Sequence, residues 1–401
     1  MIIKQGGIIM NADYLRTMPT IREFFKIKET GELQEGVRIL LEAMTEVTIP
    51  SGQDIVTIDA EPEDGMYIIL DGVTQVLDKD GKLINTLGVG DFIGELGLIN
   101  SDKRGATVRA QGDVRCANIS KQLFEDIAAQ NRKIYGTFMN MLYTKTTKLV
   151  TEQQRIKSEL EVATRIQAGC LENDFTQINK LDNVKLTAAM RPAKEVGGDF
   201  YDVFMIDDTH LCYLIADVSG KGVPAALFMS MAKIHIKNYA TLGLPLAEVA
   251  SRANNNLCYK NEEGMFVTAF ICVLDVTSGD VSFINAGHNL PFIQKGDGEF
   301  SMLSAKANLV LGMMEDVPYR EQHVQLEPGD CMYLYTDGVT EALNPKQELL
   351  GDAYLEGMLN RHKDEAARVE EFVKSMYDEV DMFANGEMQA DDITMVYVSR
   401  K

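Results

Sequence analysis

Residues 215–227 read IADVSGKGVPAAL. An apolar run ends in one acid, Asp217, and a Ser-Gly-Lys-Gly turn leads into a proline and an alanine-rich stretch. The pattern is a strand, a tight turn and a helix. Pro224 suits a first helical turn, where its missing N–H costs nothing. Glycines and a lysine before a helix suggest a phosphate cradle, whereas an acid at a strand end suggests a metal ligand. The G-x-x-x-x-G-K-[ST] spacing of a nucleotide loop is absent, so Lys221 is not set to hold a triphosphate. The turn reads better as the rim of a metal site, with Gly220 and Gly222 letting the chain bend sharply.

From about residue 181 onward, strand-like and helix-like runs alternate. VKLTAAM, LCYLIADV, VTAFICVLDV, DVSFINAGHN, DCMYLYTDG and ITMVYVS read as strands. PAALFMSMAKIHIKNYA, LAEVASRANNNLCY and EAARVEEFVKSMYDEVDMF read as helices. VLDVTSGDVSFI is a hairpin with a Ser-Gly-Asp turn. Antiparallel hairpins among long helices favour α+β layers over a doubly wound parallel sheet. Asp217 is not alone in this segment. Asp199 follows two glycines in EVGGDFYD, Asp337 follows DCMYLYT and precedes Gly338, and Asp391 and Asp392 open DDITMVYV. A single acid at a strand end is usually a turn former or helix cap. A set of them can converge from several strand ends and hold Mg²⁺ or Mn²⁺ through hard oxygen ligands.

Upstream, residues 45–119 carry short β-rich runs with frequent glycine. Asp71-Gly72 and Asp80-Gly81 are hairpin signals, and the spacing suggests a small barrel or jelly roll. GELQEGVRILLEAM before it reads as a helix. From 121 to 173 glycine is scarce and proline absent. Leu142, Leu149, Ile156 and Ala163 recur at heptad spacing, with Phe138 and Leu160 on a second seam that Lys145 and Gln153 interrupt. This predicts a long helix and a parallel coiled-coil homodimer; the bland alternative is an amphipathic helix lying on its own domain. The fold expected is multidomain α+β: a jelly-roll sensor over 1–120, a helical linker over 121–175 and a layered domain over 176–401.

The 401 residues carry a net charge of −21, which disfavours nucleic acid and anionic membranes as partners. Six cysteines form no C-x-x-C pair, as in a reduced cytoplasmic protein rather than a disulfide frame or zinc site. The start, MIIKQGGIIM, is too interrupted for a signal peptide, and no apolar run reaches the ~18 residues of a membrane span.

The motifs VGGDFYD (196–202), ADVSGKGVPAALFMS (216–230), FVTAF (266–270), NAGHNLP (285–291), LYTDGVTEALN (334–344) and DDIT (391–394) occur in that order. Together they closely resemble the SpoIIE/RsbU-like branch of the PPM-type, metal-dependent protein serine/threonine phosphatases. ELEVATRIQ (159–167) is similar to the helix leading into such domains. The resemblance implies two Mn²⁺ or Mg²⁺ ions. Asp217 would bridge them, Val218 would add its carbonyl, and Asp199 would serve one ion directly or through water. Asp337 and Asp391 would serve the other side, with Asp392 beside them in a pair whose order could reverse. It also implies a phosphorylated protein substrate, often a small anti-sigma-factor antagonist in this branch. Arg191, Lys194 and His288 lie near these motifs. Arg191 or Lys194 could touch the substrate phosphate, although a surface ion pair is the commoner fate of such an arginine. His288 could line the site, but a backbone-bonded turn is as good a reading, and no chemistry is assigned to it.

GDFIGELGLINSDKRGATVRA (90–110), with DGMYIILDGVTQV (64–76) upstream, resembles the phosphate-binding cassette of cyclic nucleotide-binding domains. By that resemblance Arg104 would pair with the cyclic phosphate, Glu95 would accept from the ribose hydroxyl, and the backbone of Gly94, Glu95 and Leu96 would donate to phosphate. Thr107 would touch phosphate or base. Gly105 lacks the hydroxyl associated with cGMP, so cAMP is the expected ligand; an apo barrel is the alternative. The whole reads as a sensor, a transmitter and a phosphatase. Its rival is a pseudophosphatase scaffold, disfavoured because every metal acid is present. A nucleotide-regulated transcription factor fares worse, since no basic helix-turn-helix follows the barrel.

Overall fold

In the computed structural model, residues 14, 17–25, 27, 34–99 and 103–401 are described. The starting stretch MIIKQGGIIM and positions 100–102 of the cassette lie outside them. The chain packs as two compact units, 1–155 and 156–401, so the residues read as a linker are shared between the two.

The first unit holds helices α1 (Pro19–Phe24) and α2 (Glu35–Glu42) and six strands: β1 (Thr45–Ile49), β2 (Asp54–Val56), β3 (Met66–Leu77), β4 (Leu83–Leu87), β5 (Phe92–Ile93) and β6 (Thr107–Ile119). They form one antiparallel sheet in the order β1-β6-β3-β4, with β2 also on β6 and β5 on β3. Asp80-Gly81 sits in the β3–β4 turn, where Gly81 has φ 77°. Asp71-Gly72 does not make a turn. It lies inside β3, where the register with β6 shifts on both sides of Asp71. Gly72 has φ 95°, and a Cβ there would stand 2.8 Å from the Asp113 carbonyl oxygen. A positive-φ glycine serves a bulge as well as a hairpin, and sequence alone does not separate the two.

Helix α3 (Lys121–Gln130) follows, its N-terminus capped by the Ser120 hydroxyl, which accepts from the Leu123 amide at 3.3 Å. Helix α4 then runs from Lys133 to Cys170. Phe124, Ile134, Phe138 and Met141 are buried with Leu40, Leu41, Met66 and Ile68 in the barrel-end core, and Leu142 packs against that cluster. The first part of the heptad seam is therefore consumed by the sensor itself. Beyond it Leu149 and Ile156 are 59% and 47% exposed.

The second unit opens with a single turn, α5 (Thr176–Asn179), and β7 (Val184–Arg191), β8 (Phe200–Met205) and β9 (His210–Val218). Helices α6 (Val223–Ala240) and α7 (Leu246–Cys258) lead to β10 (Val267–Asp275), β11 (Asp280–Ala286), β12 (Phe292–Gln294), β13 (Phe300–Met302), β14 (Gln322–Gln325) and β15 (Cys331–Tyr335). One-turn α8 (Asp337–Thr340), α9 (Gly351–Arg361), α10 (Val369–Ala384) and β16 (Ile393–Arg400) complete it. Two antiparallel five-stranded sheets result, β14-β11-β10-β9-β8 and β13-β12-β15-β16-β7.

The two-residue period of β9 explains the layering. Leu214 and Ala216 face Met229, Ala232 and Ile236 of α6 and Val249 and Ala253 of α7. Tyr213 and Ile215 face the other sheet, where Leu186, Met332, Leu334 and Val396 meet them. Beyond that sheet, Tyr333, Met395 and Tyr397 pack on Leu355, Met358, Phe372 and Met376 of α9 and α10. The unit is a helix–sheet–sheet–helix sandwich, the α+β layering expected. An ion pair lies inside it: Asp202 of β8, with its side chain 1% exposed, pairs with Lys233 and Lys237 of α6.

Candidate active site

Both sheets deliver acids to one end of the sandwich. Strand β9 ends in Asp217 and Val218, held in register by β10 with Asp217 opposite Thr268. Asp199 stands just before β8. From the other sheet, Tyr335 ends β15 and is followed by Thr336 and Asp337, while Asp391 and Asp392 immediately precede β16.

Each acid has a distinct setting. Asp199 is buried, and its Oδ2 accepts from the hydroxyls of Thr336 and Thr394, each at 2.7 Å. Asp392 is taken up by backbone: Oδ1 accepts from the Ala193 amide and Oδ2 from the Gly198 amide, both at 2.7 Å. Asp391 pairs with Lys221 at 2.7 Å, and the same ammonium donates to the Ala390 carbonyl at 2.9 Å. Two glycines make the approach possible. A Cβ on Gly197 would meet Asp392 Oδ2 at 2.4 Å, and one on Gly338 would meet the Asp392 carbonyl oxygen at 1.9 Å. Lys221 sits between Gly220 and Gly222, at φ 87° and 79° with open space around both.

Three of these acids, Asp199, Asp217 and Asp337, have raised pKa values. Burial, then the charge of Asp337, pushes the Asp217 carboxyl up to about 7. Burial and the charge of Asp217 hold Asp199 well above the carboxylate range, against the pull of the two threonine hydroxyls. Asp337 is raised by burial, Glu341 and Asp391. Among the described residues only Lys221 lies within ion-pair distance of these acids. A cluster of hard oxygen donors short of positive charge fits divalent cations, although among the described residues no three such side chains already close a ligand cage.

The same shifts fix a pH dependence. A carboxyl whose folded pKa is raised contributes stability that is complete below its unfolded pKa and lost as pH climbs through the folded value. The metal-free unit should therefore lose thermal stability between about pH 4 and about pH 7, as Asp217 and its neighbours ionise. Saturating Mn²⁺ should flatten that slope. Thermal denaturation across this range, with chelator and with Mn²⁺, checks it; a flat metal-free profile would contradict the assigned repulsion.

Of the other residues singled out near the motifs, His288 and Arg191 have protein partners. Buried His288 has Nε2 3.2 Å from the Tyr335 carbonyl oxygen, so that nitrogen carries the proton, and Nδ1 accepts from the Thr268 hydroxyl at 2.8 Å. Burial lowers its pKa to about 4, and the neutral ring ties β10 to β15. Arg191 pairs with Asp381 at 2.7 Å, donates to Gln389 at 2.9 Å and lies over the Tyr377 ring. Lys194 is exposed. Thr336 and Thr394 were not singled out from sequence, although each lies within a quoted motif, LYTDGVTEALN or DDIT.

In the first unit the cassette residues already have partners. Gly94, at φ 74°, begins the short 3-10 turn Glu95–Leu98, and a Cβ on it would strike the Arg104 guanidinium. Arg104 is buried, and it donates to Asp64 at 2.5 Å, to the Gly65 carbonyl at 2.5 Å and to the Gly94 carbonyl at 2.9 Å. Its Nε has no partner among the described residues. Glu95 pairs with Lys145 of α4 at 2.5 Å. The Thr107 hydroxyl accepts from the Ile58 amide at 3.0 Å, and Leu96 is exposed. All six cysteines are unpaired. Among the described residues no helix is long and apolar enough to cross a membrane.

Comparison with known proteins gives a relative for each unit. Residues 207–401 match the family model Stage II sporulation protein E (SpoIIE), and residues 46–131 match the cyclic nucleotide-binding domain. The chain is 33% identical over 262 residues to the phosphoserine phosphatase RsbU of Bacillus subtilis (strain 168), an alignment covering 65% of this chain and 76% of RsbU. It is 30% identical over 270 residues to the protein IcfG of Synechocystis sp., covering 60% of this chain and 41% of that one. The SiaA-PP2C domain of Pseudomonas aeruginosa superposes with a TM-score of 0.54 at 22% identity, over 62% of this chain and 98% of that domain, and shares the fold.

Proposed function

Because the chain belongs to the SpoIIE family of PPM-type protein serine/threonine phosphatases and carries a cyclic nucleotide-binding domain ahead of it, we propose that it hydrolyses a phosphoserine or phosphothreonine protein with two divalent cations under control of that domain. The observation that carries the catalytic half is the meeting of Asp199, Asp217, Asp337, Asp391 and Asp392 at one end of the sandwich, with Asp217 raised by burial and by its neighbours. Two bound Mn²⁺ or Mg²⁺ ions supply a water of lowered pKa and a clamp on the phosphoryl oxygens for in-line displacement. Asp217 and the Val218 carbonyl would hold the ions from one sheet, Asp337 and Asp391 from the other. Asp199 would turn its second oxygen to them, the first being fixed by Thr336 and Thr394. Asp392 gives both oxygens to backbone amides, which suits a scaffold and leaves ligation to Asp391.

The substrate we infer is a phosphorylated anti-sigma-factor antagonist, consistent with likeness to the phosphoserine phosphatase RsbU. We assign the reaction to the cytoplasm, in keeping with six unpaired cysteines. A homodimer through α4 would use the exposed Leu149 and Ile156. The test of the whole reading is release of phosphate from a phosphoserine protein by the full chain with Mn²⁺, with and without cAMP. Metal-stimulated turnover is expected, and its absence would leave a pseudophosphatase.

On the sensor side, cyclic phosphate must displace an anion the chain supplies itself. Asp64 occupies the Arg104 guanidinium, while the unpartnered Nε remains to receive an oxygen. A charge-assisted hydrogen bond contributes roughly 1.5–3 kcal/mol, so Asp64→Ala should tighten cAMP binding by about tenfold or more. Calorimetric titration of both proteins checks this. Equal affinities would mean that Asp64 does not compete, and undetectable binding in both would leave an apo barrel.

A further inference from the structure

Near the end of α4 one side chain behaves as a piece of backbone. Gln167 is buried on a stretch where Arg165, Ile166, Ala168 and Gly169 are exposed. Its Nε2 donates to the Gly197 carbonyl at 2.6 Å, and the Gly197 amide donates to its Oε1 at 3.0 Å. A single amide thus satisfies both polar groups of one residue, as a neighbouring strand would. One turn earlier the Thr164 hydroxyl lies 2.5 Å from the Glu195 carbonyl oxygen and 2.9 Å from that of Leu160. The segment gripped in this way, 195–199, is the one that ends in Asp199 and whose Gly198 amide holds Asp392. Gly197 itself has no room for a side chain beside Asp392 and Met190.

We propose that Gln167 is a positioning residue: it clamps the glycine segment from the α4 side, so that Asp199 and Asp392 stand where the metal site needs them. The segment is held from two directions, by Asp392 on one side and by the amide of Gln167 on the other. Losing the second lets it shift as a unit, because Gly197 and Gly198 have no side chains to anchor it. Both a donor and an acceptor are needed. Glutamate keeps the acceptor for the Gly197 amide but faces the Gly197 carbonyl with no proton to give, and leucine fills the space with neither.

The inference rests on the phosphatase reading, and the experiment separates the two. Wild type, Gln167→Leu, Gln167→Glu and Thr164→Val, as full chains, are titrated calorimetrically with Mn²⁺, assayed on a phosphoserine protein and melted without metal. Removing support around a metal site costs about 10–100-fold in affinity or activity. Gln167→Leu and Gln167→Glu should therefore bind Mn²⁺ about tenfold more weakly, with kcat reduced, KM for the phosphoprotein unchanged and the metal-free melting point close to wild type. Thr164→Val should move the same way by a smaller factor. Wild-type Mn²⁺ affinity and kcat in both Gln167 variants would overturn the clamp. A fall in melting point with unchanged Mn²⁺ affinity would reduce Gln167 to a packing residue. If Gln167→Leu does not fold, Thr164→Val decides, and wild-type Mn²⁺ affinity and kcat in it overturn the clamp. If wild type binds Mn²⁺ but releases no phosphate, the phosphatase reading fails while the metal titration still tests the clamp.

Discussion

Asp217→Asn should lower kcat/KM for a phosphoserine protein by more than about 100-fold, since even the supporting partners of a metal site are worth 10–100-fold. Asparagine keeps the size and removes the charge from the one acid that β9 brings to those of the other sheet. The loss should come with a gain. Wild-type Asp217 is raised by burial and by Asp337, so without metal it is a source of repulsion. The variant should melt at a higher temperature than wild type at neutral pH in chelator, and respond less to Mn²⁺. Phosphate release and paired melts with and without Mn²⁺ measure both. Wild-type turnover in the variant would sink the two-metal assignment. Activity lost together with metal-free stability would mean that Asp217 holds the fold instead. This is the trade expected where a site stores like charges for later use.

The largest effect on stability should come from Lys233→Met. Asp202 is enclosed between β8 and α6 with its side chain 1% exposed, and Lys233 is nearly as buried at 9%. Burial lowers the Lys233 pKa, while the attraction of Asp202 opposes that shift. Removing one partner of such a pair leaves an uncompensated charge and costs about 3–5 kcal/mol. In a unit of this size that is roughly 6–20 °C in melting temperature. Lys237, at 3.3 Å but 42% exposed, compensates only in part. Replacing both residues, Lys233→Met with Asp202→Leu, should recover most of the loss, because an apolar pair of similar volume is often neutral or better. Thermal melts of the two variants decide it. A double variant no better than the single one would mean that the pair specifies the packing of α6 rather than merely enduring burial.

Much of this was legible in residues 181–401. The six strands named there correspond to β7, β9, β10, β11, β15 and β16, and helices α6 and α7 begin and end close to their expected positions. Short strands escaped, among them β8, where FYDVFM is broken by an acid whose partners lie on a distant helix, and β12 to β14, which are three or four residues long. In α9, GDAYLEGMLNR begins on glycine and carries a second one, which obscures its helical period. The acids were found because each stands where an apolar run meets a glycine-bearing or polar turn. What each one does was not legible. Asp391 and Asp392 are adjacent and chemically identical, and only the fold sets one against Lys221 and the other against two backbone amides. The same holds for Arg104, engaged by Asp64 from 40 positions away, and for Gln167, whose importance lies in a backbone segment 30 residues on. Phe138 fitted a coiled-coil seam by spacing, but apolar spacing is the same whether the partner is another helix or the barrel end.

Strand β16 lies between β15 and β7, and this has a kinetic consequence. The hairpins of the other sheet pair residues close in sequence and can form early. The second sheet cannot close until β16 reaches β7, with Ile393 opposite Arg191. Contacts between such distant residues are slow to form, because loop-closure entropy must be overcome first. Gly198 and Asp392, 194 positions apart, meet only at that step. Until then Asp199 lacks the hydroxyl of Thr394, and Asp217 faces none of its acidic neighbours from the second sheet. The acid-bearing end of the sandwich should thus be among the last parts to form, and a partly folded chain has its acids still apart.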